Sequence, residues 1–491
     1  MILCLINHSF EYELEKLCRI FLPFAKITVQ DSLCDEVPRA ETVIEDKGDH
    51  VLLKAALYLD DKRAQKENLL NKSAKDFDKE CERLLAVALY DCFCEITGVL
   101  SQWGILTGVR PAKLFSRLKA ANGEAYSREY FDKMLKVSEK KIDLCAAVSV
   151  SEEKIINASG ERSFSLYISI PFCPSRCSYC SFVSHSVTQA GKLIPDYVDL
   201  LCKEIEHTAK IAKKLGLQLM TVYFGGGTPT SLSAAELEKI MTAVADNFDL
   251  SNIMEYTVEA GRPDTITEEK LIAIKRGGAT RISINPQTLN DKVLQGIGRK
   301  HTAQQFLDAF EIARRVGFDN INTDLIAGLP DDTPESFERT LDKIIQLAPE
   351  SVTVHSLSMK RSSNMNAAGD GFSDFGAYAA QMVDSANARL KECGLLPYYM
   401  YRQSKTVGNL ENTGYTVPGC EGLYNVYIMD ETHTILACGA SAVTKMRNPA
   451  GNEIERVFNF KYPYEYISRF NEIIERKEKV IEFYEKYGII H

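Results

Sequence analysis

The stretch Tyr167-Ile168-Ser169-Ile170-Pro171-Phe172-Cys173-Pro174-Ser175-Arg176-Cys177-Ser178-Tyr179-Cys180 leads out of a β-rich run, Ser165–Phe172, and carries three cysteines spaced C-x3-C-x2-C. Three thiolates this close on one short loop make a soft-metal site. A cubane [4Fe–4S] cluster ordinarily takes four cysteine ligands, so three leave one iron open to a small chelating molecule. Two other readings stay open at this point: a tetrahedral Cys3His zinc site completed by His185, and plain buried thiols.

Outward from this loop the pattern repeats. β-rich runs at Ser165–Phe172, Met220–Gly226, Glu255–Ala260, Arg281–Gln287, Asn320–Gly328 and Ser351–Ser358 alternate with helical stretches at Asp196–Leu215, Ala234–Asp246, Glu268–Arg276, Ala303–Val316 and Pro334–Leu347. Such alternation predicts right-handed βαβ crossovers and a parallel sheet. Six units closing partway make an α/β fold with a partial (β/α)6 TIM-like barrel; a flat doubly wound sheet is the competing architecture. Strands buried on both faces read as apolar runs, yet Asn285 with Gln287, Asn322 with Asp324, Glu259 and His355 interrupt them. Polar groups on one parity predict a lumen that receives a polar ligand, and the cysteine loop sits at the strand end where barrels place their chemistry.

The flanks read differently. Residues 1–160 form a mixed α/β domain of unknown role, with runs at Met1–Ile6, Lys26–Val29 and His50–Leu59 and helical spacing at Glu11–Phe21 and Asp76–Ile96. Trp103–Pro111 looks like a turn feeding a helix, with Thr107 as its cap and Pro111 in the first turn. The polar patch Ser151–Ser163 marks the boundary to the barrel, 161–361. The segment Ser362–Asp374 reads as a linker, and 362–491 as a C-terminal α+β cap with helices at Tyr378–Cys393 and Tyr464–Tyr487. Tyr398, Tyr399, Tyr401, Tyr415, Tyr424 and Tyr427 there either line a flat pocket or pack in the core.

The 491 residues are 45% hydrophobic and 25% charged with a net charge of -9, which excludes disordered and collagen-like classes. With no Lys/Arg-rich run, nucleic acid is not an expected partner. No apolar stretch approaches the length of a membrane span, and the N-terminus does not read as a targeting peptide. The expectation is a cytoplasmic protein with reduced cysteines, eleven of the fourteen serving as buried small hydrophobes.

A second motif, Val222-Tyr223-Phe224-Gly225-Gly226-Gly227-Thr228-Pro229-Thr230, lacks the Gly-Lys-Ser/Thr of a nucleotide loop. Its glycines let the backbone approach a neighbour closely. Together, the cysteine loop, Tyr179 between its last two cysteines and the GGGTPT turn resemble the radical S-adenosylmethionine (SAM) enzymes, and within them the oxygen-independent coproporphyrinogen III oxidase family. Glu259, Arg281-Ile282-Ser283 with Gln287, Arg299, and Asp324-Leu325-Ile326 with Gly328-Leu329-Pro330 extend the resemblance through the barrel. Tyr401-Arg402-Gln403, Gly408–Asn412 and the long N-terminal extension are similar to the branch called HemZ-type coproporphyrinogen dehydrogenase.

That resemblance implies a [4Fe–4S] cluster held by Cys173, Cys177 and Cys180, with SAM on its open iron. Gly226, Gly227 and Thr228 would hold the amino-acid end of SAM, and Tyr167, Tyr179, Glu259, Gln287, Arg299 and Asp324 match positions that contact SAM in the family. It further implies reductive cleavage of SAM to a 5′-deoxyadenosyl radical, which takes hydrogen from a propionate of coproporphyrinogen III. Loss of CO2 and an electron, twice, would yield protoporphyrinogen IX. The implied partners are this porphyrinogen and an electron donor such as a flavodoxin or ferredoxin. Two positions depart from the oxidase pattern: Phe182 replaces a fourth cysteine, and Ser169 replaces a histidine. The aromatic after Cys180 resembles instead the haem-chaperone branch, HemW, in which haem is bound without decarboxylation.

Overall fold

The computed structural model describes residues 1–23, 25–180, 182, 184–358, 372–403 and 405–487, with the backbone alone for 372–375. The chain forms two compact units, Met1–Ser149 with Tyr401–Glu411, and Val150–Met400 with Asn412–His491. The division at Ser149 falls within the helix Glu139–Asn157, just ahead of the polar patch expected as a boundary. The expected boundary between 361 and 362, and most of the Ser362–Asp374 linker, lie outside the described residues.

In the first unit β1 (Ile2–Ile6), β2 (Thr28–Gln30), β3 (Arg39–Lys47), β4 (His50–Leu59) and β5 (Lys62–Asn71) form one sheet in the order β2-β1-β3-β4-β5. The helices Glu11–Phe21 and Phe77–Thr97 lie where the spacing predicts them. Strands β3 and β5 are additional to the sequence reading. β5 is an edge strand whose exposed charged side chains hide its period, the usual protection of a sheet edge. Thr107 is not a helix cap: the helix Pro111–Asn122 begins after Arg110, and the Thr107 hydroxyl bonds Glu13 instead. Pro111 does occupy the first turn. Arg402 lies over the Trp103 ring at 5.1 Å, while Glu411 accepts from Trp103 Nε1 at 2.8 Å and pairs with the buried Lys141 at 2.6 Å.

The second unit is built on β6 (Ser163–Ile170), β7 (Phe172–Cys173), β8 (His185–Ser186), β9 (Gln218–Gly226), β10 (Glu255–Glu259), β11 (Arg281–Ser283), β12 (Ile321–Ala327), β13 (Ser351–Ser356), β14 (Leu396–Arg402), β15 (Glu411–Thr416), β16 (Thr434–Cys438), β17 (Val443–Arg447) and β18 (Ile454–Phe458). β6, β9, β10, β11, β12 and β13 are parallel neighbours in chain order, as six βα units require. Their helices start where sequence caps demand. Ser233 and Thr302 form capping boxes with Glu236 and Gln305, and the Thr267 and Thr333 side chains accept from the first turns of theirs. Tyr167 (β6) and Tyr223 (β9) both stack on Tyr424, which lies on the helix Leu423–Asp430 outside the barrel strands. Glu259 (β10) feels Asp324 (β12) and His355 (β13) across the intervening β11. The six strands follow chain order with no reversal, so right-handed crossovers put their helices on one face, whereas a doubly wound sheet reverses its order to cover both; this decides for the partial barrel over the flat sheet.

Two sequence expectations fail locally. The run Arg281–Gln287 is a strand only to Ser283, because Pro286 cannot donate to a ladder and Gln287 turns left-handed at φ 69°. Asn285 thus lies beyond β11, and Gln287 rejoins the sheet only through a single parallel bridge to Leu325, so the two do not share one continuous strand face. The expected helix Tyr464–Tyr487 is three short helices, Pro463–Ser468, Phe470–Lys477 and Lys479–Lys486, with a non-helical Arg469 at the first break. The C-terminal residues are α+β as expected, and their strands join the barrel sheet at both ends. β15 pairs antiparallel with β13, and β16 pairs parallel with β6. Neither outer barrel strand is thereby left as a sheet edge, β13 pairing over Ser351–Val354 and β6 over Phe164–Ile168.

Candidate functional site

The cysteine loop leaves β6 through Pro171, and β7 is held by the short parallel pairing with β8. The glycine turn after β9 lies directly beneath it. Gly227 N–H donates to Ile170 O at 2.7 Å and Thr228 N–H to Phe172 O at 2.8 Å. A Cβ on Gly227 would stand 2.6 Å from Phe172 O and 3.0 Å from Cys173 Sγ, and Gly226 is left-handed at φ 102°, so side chains are excluded at both. Thr228 Oγ1 donates to Cys173 Sγ at 3.4 Å. The far side of the loop rests on the turn before Arg299, where Ile297 O accepts from Ser178 N at 3.0 Å and Gly298 O from Ser175 Oγ at 3.2 Å.

Two buried arginines flank the loop. Arg299 bonds the Tyr179 hydroxyl through Nε at 3.2 Å and Asn285 O through Nη1 at 2.6 Å. Arg262 reaches Cys177 Sγ at 3.6 Å. Burial raises the Cys173 thiol above its ordinary value and pushes Cys180 up to about 11, so as free thiols these are poor nucleophiles.

Below the loop is the lumen. Glu259 Oε1 accepts from Tyr223 OH at 2.6 Å. Burial pushes the Glu259 carboxyl up to about 7, with the Tyr223 bond opposing and the nearby Asp324 charge adding to the rise. Asp324 behaves oppositely. Burial acts to raise it, but His355 Nε2 at 3.7 Å and Asn322 Nδ2 at 2.7 Å bring it below the ordinary carboxylate value. Tyr167, Tyr223 and Tyr424 stack with ring centroids 4.5 to 6.2 Å apart. The Gln287 Oε1 atom is buried and unpartnered at the loop after β11.

Of the predicted residues, Cys173, Gly226, Gly227 and Thr228 meet at the turn; Cys177, Tyr179 and Arg299 meet beside the loop; and Tyr167, Glu259 and Asp324 line the lumen. Sequence reading missed Arg262, Tyr223, His301 and the pairing of His355 with Asp324. The Arg-Pro-Asp run after Glu259 was the available signal for Arg262. His301 is buried, and burial with the charges of Arg299 and Arg262 lowers its pKa to about 3. Tyr398, Tyr399, Tyr415 and Tyr427 are core residues, and Tyr424 alone of the tail tyrosines stacks in the lumen. Ser169 is buried, its hydroxyl donating to Ala440 O at 2.8 Å, which ties the C-terminal segment to β6. Phe182 is 60% exposed. Of the remaining cysteines, Cys393 is exposed and Cys34, Cys94, Cys202 and Cys420 are half-buried, so the expectation of buried hydrophobes fails for these five.

The donor set fits the implied groups. Cys173, Cys177 and Cys180 share one loop whose sulfurs meet a hydroxyl and a guanidinium, partners suited to anionic sulfur. The lumen offers a near-neutral carboxyl, an ionised one and the unpartnered Gln287 oxygen to a polar cation. The zinc reading required His185, but that ring packs edge-on against Tyr462 and Tyr464 at 5.6 and 6.4 Å. No three His, Cys, Asp or Glu side chains among the described residues are placed to hold a single metal ion. No helix among them is long and apolar enough to cross a membrane.

The chain is similar to known proteins. The radical SAM superfamily model matches residues 167–344. The chain is 37% identical over 414 residues to a Bacillus subtilis (strain 168) protein, oxygen-independent coproporphyrinogen-III oxidase-like protein HemZ, spanning 83% of this chain and 82% of that protein. It is 37% identical over 200 residues to the haem chaperone HemW of Lactococcus lactis subsp. lactis, spanning 41% of this chain and 50% of that one. In fold it is similar to Escherichia coli coproporphyrinogen III oxidase (HemN), described as a radical SAM enzyme, with a TM-score of 0.50 and 23% identity over 66% of this chain and 72% of that one.

Proposed function

We propose that this chain, which belongs to the oxygen-independent coproporphyrinogen-III oxidase-like family of radical SAM proteins, oxidatively decarboxylates a porphyrinogen-type substrate, coproporphyrinogen III. The family uses a [4Fe–4S] cluster and SAM. Cys173, Cys177 and Cys180 would hold the cluster; Tyr167, Tyr179, Gly226, Gly227, Thr228, Glu259, Gln287, Arg299 and Asp324 would hold SAM. When bound, these groups supply one-electron reductive cleavage and hydrogen abstraction. The observation that carries the reading is the pairing of a cysteine loop seated on the glycine turn with a buried, doubly acidic lumen beneath it.

The chain's own residues then have defined tasks. Glu259 gives up its proton when a cationic ligand arrives, because a nearby positive charge favours the carboxylate. Tyr223 keeps its hydrogen bond to Glu259 and holds the carboxylate in place. Asp324, already ionised beside His355, accepts from ligand hydroxyls. Arg299, fixed by the neutral acceptors Tyr179, Gly261 O and Asn285 O, keeps its full charge to present to a carboxylate. The stacked Tyr167, Tyr223 and Tyr424 exclude water from below.

The exposed Phe182, where the oxidase pattern has cysteine, favours a second reading, a HemW-like haem-binding protein. One anaerobic turnover experiment separates them. Reconstituted, reduced protein is given SAM and coproporphyrinogen III and its products are read by mass spectrometry. Protoporphyrinogen with 5′-deoxyadenosine is expected. Unaltered porphyrinogen, with a Soret band on adding haem, would replace the first reading by the second.

A further inference from the structure

We propose that Arg262 is a positioning residue that sets the reduction potential of the cluster through Cys177, an inference that rests on the reading of the three loop cysteines as its ligands. Arg262 follows Gly261 at the end of β10, is buried, and has every N–H donor engaged. Nε and Nη2 bond the two oxygens of Asp264 at 3.0 and 3.1 Å; Nη2 also bonds Ser175 Oγ at 3.2 Å. Nη1 bonds Ser175 O at 3.3 Å and Cys177 Sγ at 3.6 Å. Five donors meet five acceptors on two loops far apart in sequence, an arrangement that only a planar guanidinium fork provides.

The backbone is fixed as well. Pro263 starts a single helical turn, Pro263–Thr265, and Thr265 bonds Arg262 O through both its N–H, at 2.9 Å, and its hydroxyl, at 2.7 Å. The guanidinium therefore cannot swing away from the sulfur without breaking the fork. A buried ion pair adds little net stability on its own, so the Arg262–Asp264 pair is better understood by where its spare donors point.

The sulfurs are treated unequally. Cys173 receives a neutral hydroxyl from Thr228, whereas Cys177 receives a fully charged donor from Arg262 and also interacts with the Arg299 guanidinium. Hydrogen bonds to the sulfurs, local charge and solvent exposure set the potential of an iron–sulfur cluster. A guanidinium held on one ligand favours the form with the extra electron and so raises the potential. Asp264 partly cancels that charge. Removing the arginine and neutralising the aspartate must therefore move the potential in opposite directions, which general loosening of the loop would not do.

The test uses the full chain, reconstituted anaerobically without SAM or substrate, as wild type, R262Q, R262K and D264N. Iron and sulfide are counted per chain, and the midpoint potential of the reduced cluster is read by EPR-monitored titration. R262Q is expected below wild type, D264N above it, and R262K between R262Q and wild type. Shifts of one sign, or none beyond titration error, in R262Q and D264N overturn the proposal. Should R262Q assemble no cluster, D264N decides alone: above wild type it supports the proposal, at or below it does not. A wild-type chain that assembles no cluster removes the ligand reading itself, and the inference falls with it.

Discussion

Around the cysteine loop the buried guanidiniums are Arg262 and Arg299; in the lumen the carboxyls Glu259 and Asp324 lie near each other, with the buried Arg281 guanidinium of β11 acting on Glu259. Under the proposed function the first region faces anionic thiolates and the second a cationic ligand. Each is thus charged against its occupant before that occupant arrives, which is electrostatic preorganisation. Within the lumen the two carboxyls differ as well. Glu259 is held near neutrality by burial, while Asp324 is held ionised by His355 and Asn322. Before a ligand binds, the lumen therefore carries one full negative charge, on Asp324 beside His355, and the second develops as the ligand binds.

The contrast can be broken from either side. The largest effect is expected at the loop: Cys177→Ser should abolish SAM cleavage and cut cluster content, and undiminished 5′-deoxyadenosine from a reconstituted variant would remove Cys177 from the ligand set. Next comes Glu259→Gln, which leaves a neutral amide facing a cationic ligand. Losing one charged contact costs about 2 kcal/mol, or a ~30-fold weaker SAM Kd by calorimetry. An unchanged Kd would mean that Glu259 does not face the ligand's charge.

Glu259 also sharpens the comparison through pH. Its folded value, about 7, lies above the ordinary 4.5, so the folded chain binds more protons than the unfolded one between these values. Stability contributed by this group is full below 4.5, declines as pH rises to about 7, and is level above it. Glu259→Gln should therefore raise the melting temperature at pH 8 relative to wild type and change it little at pH 4.5, while weakening SAM binding more at pH 8 than at pH 4.5, where wild-type Glu259 is itself neutral. A variant less stable than wild type at pH 8 would contradict the buried-carboxyl account. The smallest effect is expected at Thr228→Val, which removes one hydroxyl donor from Cys173 at a cost of about 1 kcal/mol. Cluster assembly should survive with a modestly faster loss of iron to a chelator, and an unchanged rate would leave that hydroxyl without a role at the sulfur.

Much of the barrel is legible because its signals are local. The helices Glu268–Arg276, Ala303–Val316 and Pro334–Leu347 begin one residue after Thr267, Thr302 and Thr333, where a hydroxyl next in line to an apolar period can cap only that helix. The break at Arg469 was not legible, since the charged and apolar period continues straight across it. Nor was the end of β11 at Ser283, although Pro286 in the Arg281–Gln287 run was a warning.

By itself the sequence determined the cysteine spacing, the glycine turn and the order of the βα units, since each rests on residues within a few positions of one another. It also placed the polar side chains Glu259, Asn322, Asp324 and His355 within the strands, though not Asn285 and Gln287, which lie beyond the end of β11. Tertiary structure alone decided that Arg262 reaches Cys177, that His355 pairs with Asp324 and Tyr223 with Glu259, and that β16 closes against β6. Those partners are brought together by strand register in a curved parallel sheet. Register follows from the summed packing of every helix against the barrel, which no local stretch of sequence encodes.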